Sequence, residues 1–467
     1  MSATTFQSLK ISSDLLATVA ELGFVTPTPI QAACIPILFQ KNDLIGQAQT
    51  GSGKTAAFAI PILQALDLAK RDVQAMILCP TRELSQQVAR EIRKLARRMN
   101  GLQVLVLAGG QPSRPQTAAL AKGVHIVVGT PGRTLDHIER DRLDLAFIQV
   151  LVLDEADRML DMGFQDEVEA ILRAVPGTRQ TALFSATFPD AIEKITRQFL
   201  HLPQRVMIEA NPELAPSIRQ IAYECDSQGN KTKTLLQALQ QHKPKSTLIF
   251  CNQKAIVGDL SEALTKAGIN ASALHGDLEQ RDRDRVLAMF RNHSTRVLIA
   301  TDVAARGLDI ENLDMVINYD LPYQPEIYIH RIGRTGRAGK SGLAVSLVNS
   351  QERGRLNELA RTPGISFEHA TLIVKKPNGV HHASELANAE MQTLVISGGR
   401  KDKLRPGDIL GALTGDGVGL AATSVGKIEI HERFSYVAVA TAFAEKALRA
   451  LQSGRIKSRR FQVKKVE

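Results

Sequence analysis

The chain has 467 residues, which is too long for one hydrophobic core and predicts about three domains of ordinary size. Its hydrophobic content of 44% and charged content of 23% exclude a disordered or collagen-like chain, and no apolar run reaches the roughly 18 residues that a membrane span needs. The net charge of +10 is uneven, since residues 391–467 contain 14 Lys/Arg and 7 Asp/Glu, which indicates either a polyanionic partner or a merely solvated basic surface.

The N-terminal residues have no basic segment followed by an apolar one, so no secretory signal is expected. The four cysteines lie far apart, without a CxxC pair or a neighbouring histidine cluster. They are therefore predicted to be core thiols of a reducing compartment, and the expected location is the cytoplasm.

Residues 1–208 alternate short apolar runs with amphipathic segments. The runs are DLIG (43–46), AMILC (75–79), HIVV (125–128), VLVLD (150–154) and TALF (181–184). Each run is almost continuously apolar and ends in polar residues or glycine, which is typical of parallel strands buried on both faces, with helices as crossovers. These residues are predicted to form one α/β domain.

A second series of runs starts after EANPELAP (209–216), whose two prolines suit a linker. The runs TLIFC, ASALH, RVLIA, MVINY and LAVSLV predict a second α/β domain at 217–368, followed by a polar linker at 369–390. Residues 391–467 differ, because they read strand, helix, strand, strand, helix, strand. This is the split βαβ order of a small α+β, RRM-like domain, which ferredoxin-like domains of many functions share.

The segment AQTGSGKT (48–55) lies between a predicted strand and a predicted helix. Gly51 and Gly53 let backbone N–H groups approach phosphate oxygens, while Lys54 adds a positive charge for the outer phosphates. Thr55 can place its hydroxyl on Mg²⁺, and Ala48 stands where a strict phosphate loop begins with glycine. The predicted nucleotide-binding residues of this loop are Thr50, Gly51, Ser52, Gly53, Lys54 and Thr55.

A second apolar strand, in VLVLDEAD (150–157), delivers two carboxylates at its end. Asp154 is predicted to hold Mg²⁺, usually through water, and Glu155 to orient or activate the attacking water. Acidic pairs also begin many helices for reasons of the helix dipole, so the pair gains its weight from the phosphate loop. Together the two segments predict a nucleotide hydrolase.

Beyond these segments the chain resembles the DEAD-box RNA helicases, whose name residues 154–157 spell. The matching first-domain motifs are GFVTPTPIQ (23–31), PTREL (80–84), GG (109–110), TPGR (130–133) and SAT (185–187). Those of the second domain are LIFCN (248–252), ATDVAARGLDI (300–310) and HRIGRTGR (330–337). The resemblance implies two tandem RecA-like domains, ATP and Mg²⁺ as cofactors, and RNA as the substrate.

The resemblance also implies roles for single residues in the nucleotide site. Gln31 would contact the adenine edge and Phe24 its face, while Gly307 and Asp309 would lie at the nucleotide sugar. The residues implied to couple the nucleotide state to RNA are Asp157, Ser185, Thr187 and His330.

Three arginines recur at steps of three in HRIGRTGR. Arg334 and Arg337 resemble arginine fingers, which stabilise charge on a transferring phosphate and contribute roughly 10³–10⁵ in rate in other enzymes. Their anion would be the phosphates held by Lys54, across an interdomain cleft. Arg331 has the plain alternative of a local salt bridge.

RNA lying across both domains would stabilise the closed form that hydrolysis requires. Contacts of this kind to phosphates carry no base information, so the core is expected to bind RNA without sequence preference and to open a short duplex locally. The implied RNA-binding residues of the core are Pro80, Thr81, Arg82, Gly109, Gly110, Thr130, Pro131, Gly132, Arg133, Thr301 and Asp302.

The C-terminal domain is a poor match to base-stacking RNA-recognition signatures. Val395 and Val439 replace two expected aromatics, and Phe434 and Tyr436 can simply pack in a core. Basic loops are better candidates for contacting structured RNA through its phosphates and shape. The candidate residues are Lys401, Lys403, Arg405, Arg455, Lys457, Arg459 and Arg460.

A DEAD-box core followed by such a domain resembles the bacterial DbpA group of the family. That resemblance implies a hairpin of the peptidyl-transferase region of large-subunit (23S) ribosomal RNA as the target, a role in ribosome assembly, and a monomer. The alternatives are an ATP-gated RNA clamp or a general RNA chaperone, a DNA helicase on the same architecture, and a structural ribosomal protein. The intact motifs favour the RNA helicase over the last two.

Overall fold

The computed structural model describes residues 5–48, 52–110, 112–208, 218–225, 228–305, 308, 310, 312–336, 341–370, 389–415 and 417–466. The described residues divide into two units, one comprising residues 5–208 and residue 308, and the other comprising the remaining described residues from 218 onward. Among the described residues, every helix is too short or too polar to span a bilayer.

The first unit is built from nine helices and seven strands within the described ranges. The helices are α1 (Ser13–Glu21), α2 (Pro29–Phe39), α3 (Lys54–Ala65), α4 (Arg82–Leu95), α5 (Ser113–Ala121), α6 (Pro131–Glu139), α7 (Ala156–Asp161), α8 (Gln165–Ala174) and α9 (Asp190–Phe199). The strands are β1 (Leu44–Gln47), β2 (Ala75–Leu78), β3 (Val104–Leu107), β4 (Ile126–Gly129), β5 (Val150–Leu153), β6 (Gln180–Ser185) and β7 (Gln204–Met207).

The seven strands form one parallel sheet in the order β3-β4-β2-β5-β6-β1-β7. Ala75 and Ile77 of β2 point into the core on one face, and Met76 and Leu78 into the core on the other. This double burial explains the continuous apolar runs. The two strands that those runs do not include, β3 and β7, both lie at sheet edges.

The parallel sheet also explains where the motifs meet. The segments that follow β1, β2, β3, β4, β5 and β6 contain the phosphate loop, PTREL, GG, TPGR, DEAD and SAT, respectively. Because the carboxyl ends of parallel strands share one edge, all six segments are brought to the same side of the sheet.

The second unit begins with another parallel α/β domain. Its helices are α10 (Gln228–His242), α11 (Lys254–Lys266), α12 (Gln280–Arg291), α13 (Asp302–Ala305), α14 (Pro325–Ile332) and α15 (Arg353–Leu359). Its strands are β8 (Ile218–Cys225), β9 (Thr247–Cys251), β10 (Ala271–Leu274), β11 (Val297–Thr301), β12 (Met315–Asn318), β13 (Gly342–Asn349) and β14 (Glu368–His369), in the sheet order β10-β11-β9-β12-β13-β8-β14. The sheet extends the five predicted strands by β8, which mixes polar and apolar residues, and by β14, which is only two polar residues long.

The C-terminal domain of the same unit is a four-stranded antiparallel sheet with two helices on one face. Its elements are β15 (Met391–Ile396), α16 (Pro406–Thr414), β16 (Val425–Ile430), β17 (Ser435–Ala440), α17 (Ala444–Ser453) and β18 (Val463–Lys465). The sheet order is β16-β17-β15-β18. Leu394, Val437 and Val439 face the helices in the core, so Val439 is not on the open face of the sheet. The predicted fold class is confirmed: two RecA-like parallel-sheet domains and a split βαβ domain.

Candidate functional site

The phosphate loop is tied to the segment before α2. Lys54 is buried and donates a hydrogen bond from Nζ to the Ala48 carbonyl oxygen at 3.0 Å. Gly53 has φ +92°, and a Cβ there would lie 2.5 Å from Nε2 of Gln31. Gln31 is held in that space because it donates to the Gly53 carbonyl oxygen at 3.1 Å and accepts from the Thr28 backbone N–H at 3.0 Å. Position 53 therefore fits only glycine. Gln31 therefore contacts the phosphate loop directly.

The residues next to the loop fit a divalent cation. Asp154 is buried, and its Oδ1 has no hydrogen-bond partner within the described ranges. Burial raises the pKa of Asp154 to about 6, an effect that the positive charge of Lys54 opposes and the negative charge of Glu155 reinforces. A bound cation would satisfy the orphaned oxygen and favour the charged carboxylate. Glu155 has the left-handed φ of 53° and immediately precedes α7, at its N-cap position.

Three of the four predicted coupling residues form one hydrogen-bonded group. Oδ2 of Asp157 accepts from the backbone N–H of Thr187 at 3.0 Å and from its hydroxyl at 2.9 Å. The Ser185 hydroxyl accepts from the Asp157 backbone N–H at 3.3 Å and donates to the Thr187 carbonyl at 2.6 Å. The DEAD segment and the SAT segment are therefore joined directly by hydrogen bonds. The fourth, His330, lies half-buried on α14 in the other unit.

The structure describes only some of the other predicted nucleotide contacts. Phe24 is 36% exposed and stacks on Phe6 with ring centroids 6.4 Å apart. Ser52 and Thr55 are half-buried at the start of α3. The predicted residues Thr50, Gly51, Gly307, Asp309 and Arg337 lie outside the described residues.

The predicted RNA segments of the first unit lie at helix starts and in an exposed turn. Thr81 caps α4, accepting from the Leu84 backbone N–H at 3.2 Å. Thr130 precedes α6, whose first residues are Pro131, Gly132 and Arg133. Gly109 and Gly110 are exposed, and no atom would lie within 4 Å of a Cβ on Gly109. Pro80 is buried and Arg82 half-buried at the same edge of the sheet.

In the second domain, Arg331 forms a local salt bridge, which was the alternative interpretation of this arginine. Its side chain is 1% exposed and bonds both carboxylate oxygens of Asp302, at 2.7 and 2.6 Å. It also donates to Asn318 at 3.1 Å, to the Asp320 carbonyl at 2.7 Å and to Asn252 at 2.8 Å. Arg331 therefore organises the strand ends and presents no group to a ligand.

Thr301 and Arg334 are less buried than Arg331. Thr301 is half-buried and caps the short α13 by accepting from the Ala304 backbone N–H at 3.3 Å. Arg334 is half-buried just after the end of α14.

The open face of the C-terminal sheet is covered by α12 of the second domain. Tyr436 and Val466 pack against Ala288, with Phe434 and Val395 alongside. At the same interface the buried Thr393 hydroxyl bonds the Ser294 hydroxyl at 2.6 Å and accepts from Asn292 at 3.3 Å. Arg291 of α12 lies 3.7 Å from Glu429 of β16. The two aromatic rings are thus used in an interdomain contact within this unit.

The predicted basic residues of the C-terminal domain converge at one end of its sheet. Lys457 donates from Nζ to the Lys403 carbonyl oxygen at 3.0 Å, which joins the loops 399–405 and 455–460. Gly399 passes so close to the β16–β17 turn that a Cβ would lie 2.3 Å from the His431 carbonyl oxygen. Exposed basic side chains cover the three segments; they are Arg400, Lys401, Lys403, Arg405, Arg433, Arg455, Lys457, Arg459 and Arg460.

Two of these residues, Arg400 and Arg433, are not among the sequence-predicted contacts. The split βαβ order contains the signal, because it places the β15–α16, β16–β17 and α17–β18 connections at the same end of the sheet. We call the basic residues of these three connections the basic loop surface.

Comparison with known proteins places this architecture in a family. Three family models match: DEAD/DEAH box helicase at residues 28–195, Helicase conserved C-terminal domain at 230–339, and DbpA RNA binding domain at 393–465. The chain is 46% identical over 462 residues to the ATP-dependent RNA helicase DbpA of Escherichia coli, covering 99% of both chains. The chain belongs to the DEAD-box ATP-dependent RNA helicases of the DbpA type.

Other relatives match a smaller part of the chain. The DEAD-box ATP-dependent RNA helicase CshA of Bacillus cereus is 47% identical over 359 residues, which is 77% of this chain and 68% of that protein. The structure of S. cerevisiae Dbp5 bound to RNA and ADP BeF3 matches with a TM-score of 0.72 and 32% identity, over 79% of this chain and 96% of that one. The predicted ATP hydrolase and RNA helicase activity is confirmed by these relationships.

Proposed function

We propose that the C-terminal domain directs this DEAD-box helicase to large-subunit (23S) ribosomal RNA, which the helicase core then opens or remodels locally during ribosome assembly. The observation that carries the proposal is the basic loop surface, together with the covered face of its sheet. With Tyr436 packed against α12, base stacking on that face is blocked, and the exposed charges are left as the contact for RNA.

In the proposed mechanism ATP binds at the carboxyl edge of the first sheet. Lys54 is the positive charge for the outer phosphates, and Asp154 and Thr55 are the groups that would hold Mg²⁺. A bound Mg²⁺ neutralises charge on the phosphate oxygens. Glu155 orients or activates the attacking water, and Arg334 and Arg337 stabilise charge on the transferring phosphate when the two domains close.

The proposed coupling runs through the Asp157–Thr187 pair. Asp157 follows Glu155 by two residues, and both contacts of its Oδ2 are made to Thr187 in the SAT segment. A shift of the DEAD segment on loss of the outer phosphate is therefore transmitted to SAT without an intermediate residue. RNA held by the segments at 80–82, 109–110, 130–133 and 301–302 would be released at that step.

We further propose that the enzyme acts as a monomer in the cytoplasm. The coverage of the E. coli relative over 99% of both chains supports a common organisation. The four cysteines are buried single thiols, which suits a reducing compartment.

The test is steady-state ATP hydrolysis at fixed salt with no RNA, with a homopolymer and with total ribosomal RNA. We expect strong stimulation by ribosomal RNA alone, lost when Lys401, Lys403, Arg459 and Arg460 are all changed to Gln. The control removes two charges from the exposed side of α17, by Lys446→Gln with Arg449→Gln. This variant should still be stimulated by ribosomal RNA. Point changes are preferable to deleting residues 391–467, since deletion would uncover the apolar face of α12.

Equal stimulation by the homopolymer and by ribosomal RNA, or undiminished stimulation by ribosomal RNA in the loop variant, would refute the targeting role and leave a general RNA chaperone. Duplex separation measured in parallel distinguishes a further outcome. Hydrolysis stimulated by ribosomal RNA without any strand separation would identify an ATP-gated clamp.

A further inference from the structure

A buried glutamine of the first domain joins two of the segments that face RNA in the proposed function. Gln116 lies on α5 and is 4% exposed. Its Oε1 is 2.9 Å from Nη1 of Arg133 and 2.9 Å from Nε2 of His137, and its Nε2 is 3.3 Å from the Ala108 carbonyl oxygen. Ala108 immediately precedes the exposed glycine pair at 109–110.

The chemistry of the partners fixes the orientation of every group in this cluster. A guanidinium only donates hydrogen bonds, so the amide atom that faces Arg133 must be the oxygen. That oxygen cannot donate, so His137 must carry its proton on Nε2. The amide nitrogen is then directed at the Ala108 carbonyl, where it finds an acceptor. All three contacts agree with one assignment.

The surroundings of this histidine favour its neutral form. Burial lowers the pKa of His137, the carboxylate of Asp136 opposes that effect, and the positive charges of Arg133, Arg142 and Arg140 add to it. A neutral His137 with its proton on Nε2 leaves the Gln116 oxygen shared between one charged donor and one neutral donor. The cluster is therefore set up to hold a single cation, Arg133.

We propose that Gln116 is a positioning residue that holds Arg133 and the 109–110 turn together as one phosphate-binding surface for RNA. The inference rests on the proposed RNA contacts of these two segments. Gln116 touches no ligand itself. Its oxygen holds the Arg133 side chain, and its amide nitrogen anchors the turn through the Ala108 carbonyl. Less side-chain and loop freedom is therefore lost when RNA binds.

The first test substitutes Gln116→Met, which keeps the approximate volume and removes the polar contacts. Homopolymer RNA is used, so that the preference of the basic loop surface does not dominate, and its affinity is measured by direct binding, from the fluorescence anisotropy of the labelled RNA, over a range of salt. We expect affinity to fall about tenfold, the effect of one charge-assisted contact, and the salt slope to fall by about 0.7, which corresponds to one phosphate contact on a single strand. The KM for ATP should change less than twofold.

The matched control is Gln74→Met. Gln74 is equally buried and bonds the Asp67 and Lys70 carbonyls, at the opposite edge of the same sheet. Both variants should lose thermal stability, whereas only Gln116→Met should lose RNA affinity and salt slope. Equal RNA effects in the two variants would reduce Gln116 to a structural residue and overturn the inference.

Two further variants separate this inference from the proposed function. Gln116→Glu retains an acceptor for Arg133 and should restore most of the salt slope; failure to restore it would overturn the role toward Arg133. Arg133→Met should weaken RNA binding, and adding Gln116→Met should then cost less than threefold more. Full additivity would overturn the positioning role. If Arg133→Met leaves RNA affinity unchanged, the proposed RNA contact at 130–133 is itself wrong, and the inference falls with it.

Discussion

Replacing Arg331 by methionine tests whether the first arginine of HRIGRTGR is structural. All five N–H groups of this buried guanidinium have acceptors, on Asp302, Asn318, Asp320 and Asn252. Removing it leaves the Asp302 carboxylate, only 23% exposed, without its counter-charge. Loss of one partner of a buried ion pair typically costs about 3–5 kcal/mol.

The whole chain does not unfold as one two-state unit, so a local measurement is required. Hydrogen exchange of peptides from β9, β11 and β12 should accelerate about 10²–10⁴-fold, since each 1.4 kcal/mol corresponds to about tenfold. Peptides from β2 and β4 in the first unit serve as the internal control. Arg331→Lys keeps the charge but not the planar fork, and should give an intermediate acceleration. Acceleration below about tenfold with methionine would refute the structural assignment.

Three other predictions concern the nucleotide site and the C-terminal domain. Lys54→Ala should abolish ATP turnover and leave ribosomal RNA binding by the full chain intact; persistent turnover would disprove the site. Arg334→Ala should cut hydrolysis at least 10³-fold with nearly normal ATP affinity, measured by nucleotide titration; a parallel loss of affinity would make it a ground-state ligand. Burial alone would raise the pKa of Glu429, but His431, whose Nε2 lies 3.8 Å from the carboxylate, and the charges of Arg291 and Lys427 lower it to about 2. A lowered carboxyl pKa stabilises the fold above pH 4.5, and this contribution is lost as pH falls towards 2. The thermal stability lost in Glu429→Gln should therefore shrink over that range, and a pH-independent loss would contradict the assignment.

The parallel strands were predictable where they lie inside a sheet. Strands such as β2 and β5 are covered on both faces, so nearly every residue must be apolar and the run is continuous. The strands that were not predicted, such as β7 and β8, lie at or next to a sheet edge. Some of their residues are polar or exposed to solvent. Periodicity is weak in such strands, because what stabilises them is pairing with a neighbour distant in sequence.

The nucleotide site was predictable because its chemistry is local. Backbone N–H groups, a lysine and a hydroxyl act within one loop of eight residues, so their order in the sequence already contains their geometry. By contrast, Gln116 is separated from Arg133 by 17 positions and carries no local motif. Its contact depends on how α5 and α6 pack at the carboxyl edge of the sheet.

The sequence by itself determined the domain classes, the phosphate loop, the paired carboxylates and the helicase family, since each depends on residues close together in the chain or on the order of motifs. Only the tertiary structure decided what Arg331, Tyr436 and the basic loops do. Arg331 is an interior anchor because the ends of three strands surround it. Tyr436 is an interface residue because α12 covers its sheet face, and the basic loops form one surface because antiparallel pairing brings their three connections to one end. Long-range packing sets these environments, and a side chain's role follows from its environment as much as from its type.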